Sequence, residues 1–179
     1  MAISSTIYLL RHTTPAIAAN TCYGITDVAL AASFEVEARA VIASLPPVDR
    51  IVSSPLSRCH YLARHLADHL KRPLKYDERL REFNFGSWEA QCWDSIPRAE
   101  LDAWAADFMH ARPHGGDSVR HFRARVTAIL GELRALDGCT LVVTHGGVIK
   151  TLLASGDGAD AYPARLPFGG LCALLADQS

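Results

Sequence analysis

The chain has 179 residues, 49% hydrophobic and 21% charged, with a formal net charge of −1. That length suits one domain with a sizeable core, and the near-neutral balance gives no basic field for nucleic acid or an acidic membrane. No apolar run approaches the ~20 residues of a membrane span, the start MAISSTIYLL lacks the basic opening of a signal peptide, and five scattered cysteines without CxxC spacing read as reduced thiols of a cytoplasmic protein.

The first predicted element is a strand, Ile7-Tyr8-Leu9-Leu10, which breaks into Arg11-His12-Thr13-Thr14-Pro15. Pro15 stops a helix from starting at once. A cation, an imidazole and two hydroxyls are left at a strand's carboxyl end, where open α/β sheets bind ligands. Arg11 can grip an oxyanion with its planar fork, and His12 can act as nucleophile or base.

Ala16 to Leu30 has no helical period and reads as a loop of functional length. Ser33 to Leu45 reads as a helix ending at Pro46-Pro47. Arg50 to Ser53 forms a second strand, with Ser54 to Arg58 at its carboxyl end. A helix follows from about Ser57 to Leu70, with Leu62, Leu66 and Leu70 on its apolar side. Arg72 to Tyr76 reads as a third strand, Asp77 to Trp88 as an ordered loop, and Trp93 to Ala111 as a helix broken by Pro97. Asp117 or Ser118 can cap the next helix, which runs to about Leu136. Thr140 to Val143 is the clearest buried strand. Thr144-His145-Gly146-Gly147 comes next, then a helix from Val148 to Ala154 and a last strand from Leu171 to Leu175.

This alternation predicts an α/β fold, one domain over residues 1–179, with helices sandwiching a mainly parallel sheet. In a parallel sheet three polar sets fall on one carboxyl edge: Arg11-His12, Ser53 to Arg58, and Thr144-His145-Gly146. Two arginines, two histidines and a helix start with Gly146-Gly147 N–H groups open to an anion then converge as a phosphate pocket that uses no metal.

Four runs carry a family resemblance: LLRHTTP, SSPLSR at Ser53 to Arg58, RLREFNFGSWE at Arg79 to Glu89, and VVTHGG at Val142 to Gly147. As a set, over Ile7 to about Leu153, they resemble the histidine phosphatase superfamily, the branch that includes cofactor-dependent phosphoglycerate mutases. Within it the chain is most similar to the alpha-ribazole phosphatases of cobalamin biosynthesis. That narrower likeness rests on Thr13 after the histidine, CYGITDVAL from Cys22, FNFGSWEAQCWDSI, and LDAWAADF ahead of Gly115-Gly116-Asp117-Ser118. The resemblance implies a phosphoglycerate mutase-like three-layer sandwich and a phosphatase without cofactor or metal. Its expected partner is a small phosphate monoester, alpha-ribazole 5′-phosphate, rather than nucleic acid or membrane, with a homodimer as the candidate assembly. It makes His12 the nucleophile, Arg11 and Arg58 the phosphate-binding arginines, His145 the second pocket histidine, and Glu82 the proton donor, with Asp77, Glu78 and Glu89 lower-placed candidates. The alternatives are a broader sugar or nucleotide monophosphatase, a mutase, a metallohydrolase, or a non-catalytic phospho-ligand module.

Phosphoryl chemistry suits this set, because two arginines and a cationic histidine meet the charge of a phosphate monoester. Thr13 and Gly146 complete the expected phosphate contacts, and Cys22, Tyr23 and Gly24 the substrate contacts. Tyr23, Thr26 and Asp27 form the candidate wall for selectivity, Tyr23 offering an aromatic face with a polar tip. Cys22 by itself reads as loop packing. His60, His65 and His69 read as a solvent-exposed helix face, and His110, His114 and His121 as surface or loop residues, with His114 near enough to the glycine pair to line the pocket. Trp93 reads as core or lid packing, and Asn20 as an unaligned candidate for the polar residue that follows the nucleophile loop in mutases.

Overall fold

The computed structural model describes residues 5–162 and 165–174. Its five strands are β1 (Ser5–Arg11), β2 (Arg50–Ser53), β3 (Leu74–Tyr76), β4 (Gly138–Thr144) and β5 (Leu171–Leu174). The helices are α1 (Phe34–Ser44), α2 (Ser57–Leu70), α3 (Arg98–Ala106), α4 (Val119–Arg134) and α5 (Gly146–Leu152). The sheet order is β3-β2-β4-β1-β5, parallel except for β5, which runs antiparallel to β1. The expected extension of the last strand to Leu175 lies outside the described residues.

The layers follow from the two-residue alternation of the strands. Ile7, Leu9, Val52 and Val142 point to one face, where they pack with Phe122, Val126 and Ile129 of α4 and Val148 and Ile149 of α5. Leu10, Ile51, Leu141 and Val143 point to the other, against Ala38 and Val41 of α1 and Leu62, Ala63 and Leu66 of α2. Each such fully buried Leu or Ile contributes ~1.5–3 kcal/mol relative to an exposed one. Leu9, Leu10, Leu62 and Leu141 are all at 0% exposure. The three-layer α/β/α sandwich therefore stands as expected.

The starts of α4 and α2 are supplied with acceptors. Ser118 Oγ accepts the His121 N–H and caps α4. Asp27, from the preceding loop, accepts the Ser57 N–H and hydroxyl at the start of α2, and Lys71 ends that helix in the left-handed conformation.

Three element boundaries differ from expectation. The span Trp93 to Ala111 contains a single turn at Trp93–Ser95 and then α3 alone, because Pro97 sits at the helix entrance and Asp107 leaves helical backbone. The third strand begins at Leu74, since Arg72 is still in the turn off α2, donating to Ala67 C=O. The last helix starts at Gly146 and not at Val148. No helix among the described residues is long and apolar enough to cross a membrane.

Candidate active site

The sheet register assembles the site. Arg11 pairs with Thr144, and Ser53 with Val143, so β1, β2 and β4 stop at one level. The residues that leave those ends are Arg11-His12, Ser54 and His145. The His12 N–H donates to Thr144 C=O and the Ser54 N–H to Val143 C=O, which extends the ladder one step into the site. The His12 and His145 rings stand edge to face with centroids 5.3 Å apart.

His12 is 2% exposed. Its Nδ1 lies 2.7 Å from Thr13 C=O; a carbonyl only accepts, so Nδ1 carries the proton and Nε2 keeps its lone pair. Burial first, then the Arg58 charge, pushes His12 down from its ordinary 6.5 to about 3, against the opposing pull of the Thr13 bond. His145 is fully buried, with Nε2 2.7 Å from Ser54 Oγ. Burial, Arg58, His12 and Arg11 hold it well below its ordinary value. Burial first, and the two arginine charges after it, therefore disfavour the cationic histidine expected from the sequence.

The arginines are gripped from the protein side. Arg58, at 0% exposure, donates through Nη1 to Thr26 C=O at 2.9 Å and through Nη2 to Gly24 C=O. Arg11 donates through Nη1 to Leu166 C=O at 2.6 Å, and its guanidinium lies 4.0 Å over the Phe168 ring and against the Tyr23 hydroxyl. Arg11 Nε, Arg58 Nε and Thr13 Oγ1 are buried with no partner among the described residues. Unpaired buried donors are costly, and three beside His12 form a donor set that an oxyanion satisfies.

Glu82 is partly buried and accepts the Phe83 N–H at 2.9 Å and the Gly147 N–H at 2.9 Å. Burial raises its carboxyl, outweighing those bonds and the charges of Arg58 and Arg11. The glycine pair expected to greet an anion has a different use. A Cβ on Gly147 would come within 2.3 Å of Glu82 Oε1, and one on Gly146 within 3.3 Å of Arg11 Nε. The glycines make room for the acid and the cation, and the Gly147 N–H is spent on Glu82.

Of the expected substrate contacts, Tyr23 alone keeps its side chain at the site, with Arg58 5.4 Å from its ring centroid. Cys22 is at 0% exposure in a cluster with Trp88 and Ile96. Its N–H and C=O bond Gln91 and Ala90, so it packs the loop and offers a ligand no surface. Gly24 spends its C=O on Arg58 and its N–H on Glu89. Thr26 and Asp27 are likewise committed, to Glu89 and Ser57. His114 is not at the surface: it is 2% exposed among Phe83, Phe85 and Trp88. Asn20 bonds Asp94, and Trp93 packs on Phe85.

Residue patterns gave no sign of three supports. Glu37 of α1 accepts the Thr14 N–H at 2.8 Å and hydroxyl at 3.1 Å, fixing the loop after His12. Arg125 of α4 donates to the carbonyls of Arg79, Arg81 and Glu82. Phe168, more than 150 positions on in the sequence, faces Arg11 and His12. In each case the contact joins residues far apart in sequence.

A family model of the histidine phosphatase superfamily, branch 1, matches residues 7–174. The chain is 30% identical over 113 residues to the adenosylcobalamin/alpha-ribazole phosphatase of Salmonella typhimurium, covering 60% of this chain but only 56% of that protein. It is 31% identical over 168 residues to a probable phosphoglycerate mutase GpmB of an Enterobacter species, covering 89% and 78%. Among solved structures, a mycobacterial glucosyl-3-phosphoglycerate phosphatase matches with a TM-score of 0.77 at 25% identity over 95% of this chain and 89% of that one. A phosphoglycerate mutase from Thermus thermophilus matches with 0.73 at 28% identity over 94% and 91%. With the family's match running from β1 through β5 and over every residue of the strand-end site, the chain belongs to the histidine phosphatase superfamily.

Proposed function

We propose that the protein hydrolyses phosphate monoesters through a phosphohistidine on His12, with alpha-ribazole 5′-phosphate as its substrate. The observation that carries the reading is the pairing of an unprotonated His12 Nε2 with the buried, unpartnered donors of Arg11, Arg58 and Thr13. In the first step the Nε2 lone pair attacks phosphorus and the P–O bond to the alcohol breaks. The leaving oxygen takes a proton from Glu82, whose carboxyl burial raises. In the second, water attacks the phosphohistidine, Glu82 accepts its proton, and His12 and phosphate are released. The two guanidinium groups supply the positive charge that phosphoryl transfer needs.

The choice of substrate rests on the likeness to the Salmonella protein and on Tyr23, whose ring and hydroxyl suit a flat base or a ribose hydroxyl. The test is phosphate release, with excess chelator throughout, across alpha-ribazole phosphate, 3-phosphoglycerate, nucleotides and a small aryl phosphate. Rapid quenching should trap labelled phosphate on His12, and folded His12→Ala should lose nearly all turnover. Wild-type turnover in that variant removes the nucleophile; loss on chelation with recovery on one divalent ion replaces the mechanism by a metal-assisted one. Tyr23→Ala should cost ~1–3 kcal/mol in kcat/KM for alpha-ribazole phosphate and spare the aryl phosphate. No preference for alpha-ribazole phosphate in the wild type leaves the phosphatase reading without that substrate.

A further inference from the structure

We propose that Glu89 is the positioning residue for Arg58, acting through the loop that carries Tyr23. The inference rests on the reading of Arg58 as a phosphate ligand. Glu89 gathers donors from that loop: the N–H groups of Gly24 and Thr26 at 3.0 Å each, the Ile25 N–H at 3.1 Å, and the Thr26 hydroxyl. The Phe85 N–H, from Glu89's own segment, adds another at 3.0 Å. The carbonyls of Gly24 and Thr26 turn the other way, onto the two terminal nitrogens of Arg58.

One peptide group links the two charges directly. The amide joining Gly24 to Ile25 gives its N–H to Glu89 Oε1 and its C=O to Arg58 Nη2. An anion on the N–H side and a cation on the C=O side polarise that amide in the same sense, and each bond strengthens the other. The loop also has no slack. A Cβ on Gly24 would lie 1.8 Å from Phe83 C=O and 2.8 Å from Glu89 Oε1, and Asp27 pins the loop's far side to Ser57, next to Arg58 in α2.

Arg58 therefore meets its ligand with Nη1 and Nη2 held from behind and Nε buried without a partner among the described residues. Glu89 does not reach the reacting atoms; its two oxygens are filled by donors, which leaves it no place to give or take a proton. Its negative charge holds the carbonyls that aim the guanidinium. The prediction is that Glu89 sets phosphate affinity and that this effect exists only while Arg58 is present.

The experiment is a double-mutant cycle on inhibition of aryl phosphate hydrolysis by inorganic phosphate, with unfolding measured on every variant. Glu89→Gln should weaken phosphate inhibition about tenfold, the loss of one to two charge-assisted hydrogen bonds. Arg58→Ala should weaken it more, and Glu89→Gln added to Arg58→Ala should change it no further. Thr26→Ala, which keeps the carboxylate and every peptide N–H, serves if Glu89→Gln does not fold. It should weaken inhibition ~2–3-fold, again only with Arg58 in place. An unchanged inhibition constant in Glu89→Gln, or a loss that persists at full size in the Arg58→Ala background, overturns the proposal while Arg58 keeps its role. An Arg58→Ala protein that binds phosphate like the wild type overturns the reading of Arg58 itself.

Discussion

Glu82 and Glu89 stand on one irregular segment, both drawn away from water, yet they titrate in opposite directions. Burial raises each of them. Glu82 has two peptide N–H donors, from Phe83 and Gly147, and they do not offset that burial. Glu89 has the hydroxyl of Thr26 and the N–H groups of Gly24, Phe85 and Thr26, and they take it below the ordinary carboxylate range. Desolvation pushes both the same way, and the donors aimed at the charged form outweigh it in Glu89 but not in Glu82, the more deeply buried of the two. The raised carboxyl of Glu82 is the better suited of the two to donate a proton, and the lowered one of Glu89 to stay an anion.

The largest expected effect separates the two by leaving group. Glu82→Gln should slow hydrolysis of an alkyl phosphate by about 10²–10⁴-fold, the range for a positioned acid, and much less for an activated aryl phosphate whose alcohol departs unaided. Glu89→Gln should lose the same factor on both. Equal losses for Glu82→Gln on both substrates would reduce it to a second anchor and dissolve the contrast.

A cation performs the converse of Glu89 on the same segment. Arg125 collects carbonyls where Glu89 collects N–H groups, with Nη1 2.8 Å from both Arg79 and Arg81 C=O. Arg125→Met should cost ~1–3 kcal/mol in stability and should slow the alkyl phosphate more than the aryl one, because it loosens the backbone beneath Glu82. A variant that is destabilised but equally active on both would confine Arg125 to holding the fold.

The smallest effect, per unit of pH, pits the raised acid against the depressed histidines. His12 is pushed down to about 3 from 6.5, so between those values the unfolded chain binds a proton that the folded one refuses. Stability must then fall as pH drops below 6.5, by up to ~1.4 kcal/mol per pH unit for each such histidine, His145 included. Glu82 has the opposite sign. Its folded value is raised above 4.5, so its contribution is full below 4.5 and is lost as pH rises through the folded value. Denaturant titrations at pH 7, 6 and 5, without phosphate, should show a slope shallower for His12→Asn, the difference growing towards one proton at pH 5. An identical slope would mean that His12 is protonated in the folded protein.

The layered fold was legible because strand alternation and helix periodicity are local properties: Leu9 and Leu10 declare opposite faces, and Leu62 and Leu66 one side of a helix. The convergence of Arg11, His12, Arg58 and His145 was legible too, since parallel strands end together. What the site residues touch was less so. Gly146-Gly147 read as an anion cradle, and only the three-dimensional path of Arg11 and Glu82 over the helix start shows that a side chain at Gly147 would displace Glu82 and one at Gly146 would crowd Arg11. The Cys22 to Asp27 loop read as wall because it leaves the end of β1, but Cys22, Gly24, Thr26 and Asp27 are each consumed by a partner at least thirty residues away. His114 carries no pattern that tells a buried ring from an exposed one; four aromatic residues on other turns bury it.

The position of β1 has a consequence for how the chain is made. The first strand lies between β4 and β5, the last two strands of the sheet to be synthesised. Arg11 donates its N–H to Gly170 C=O, and the Gly169 N–H bonds the carbonyls of Arg11 and His12. During translation Ile7, Leu9 and Leu10 therefore emerge with no strand to pair with, and they remain unpaired until Gly138 and beyond have left the ribosome. Such long-range closure is slow and exposes apolar strand edges while it waits. His12 is made before Arg58, Glu82 and His145, but its carbonyl gains the Gly169 N–H only after β4 has been made, so the backbone around it is locked among the last parts of the fold.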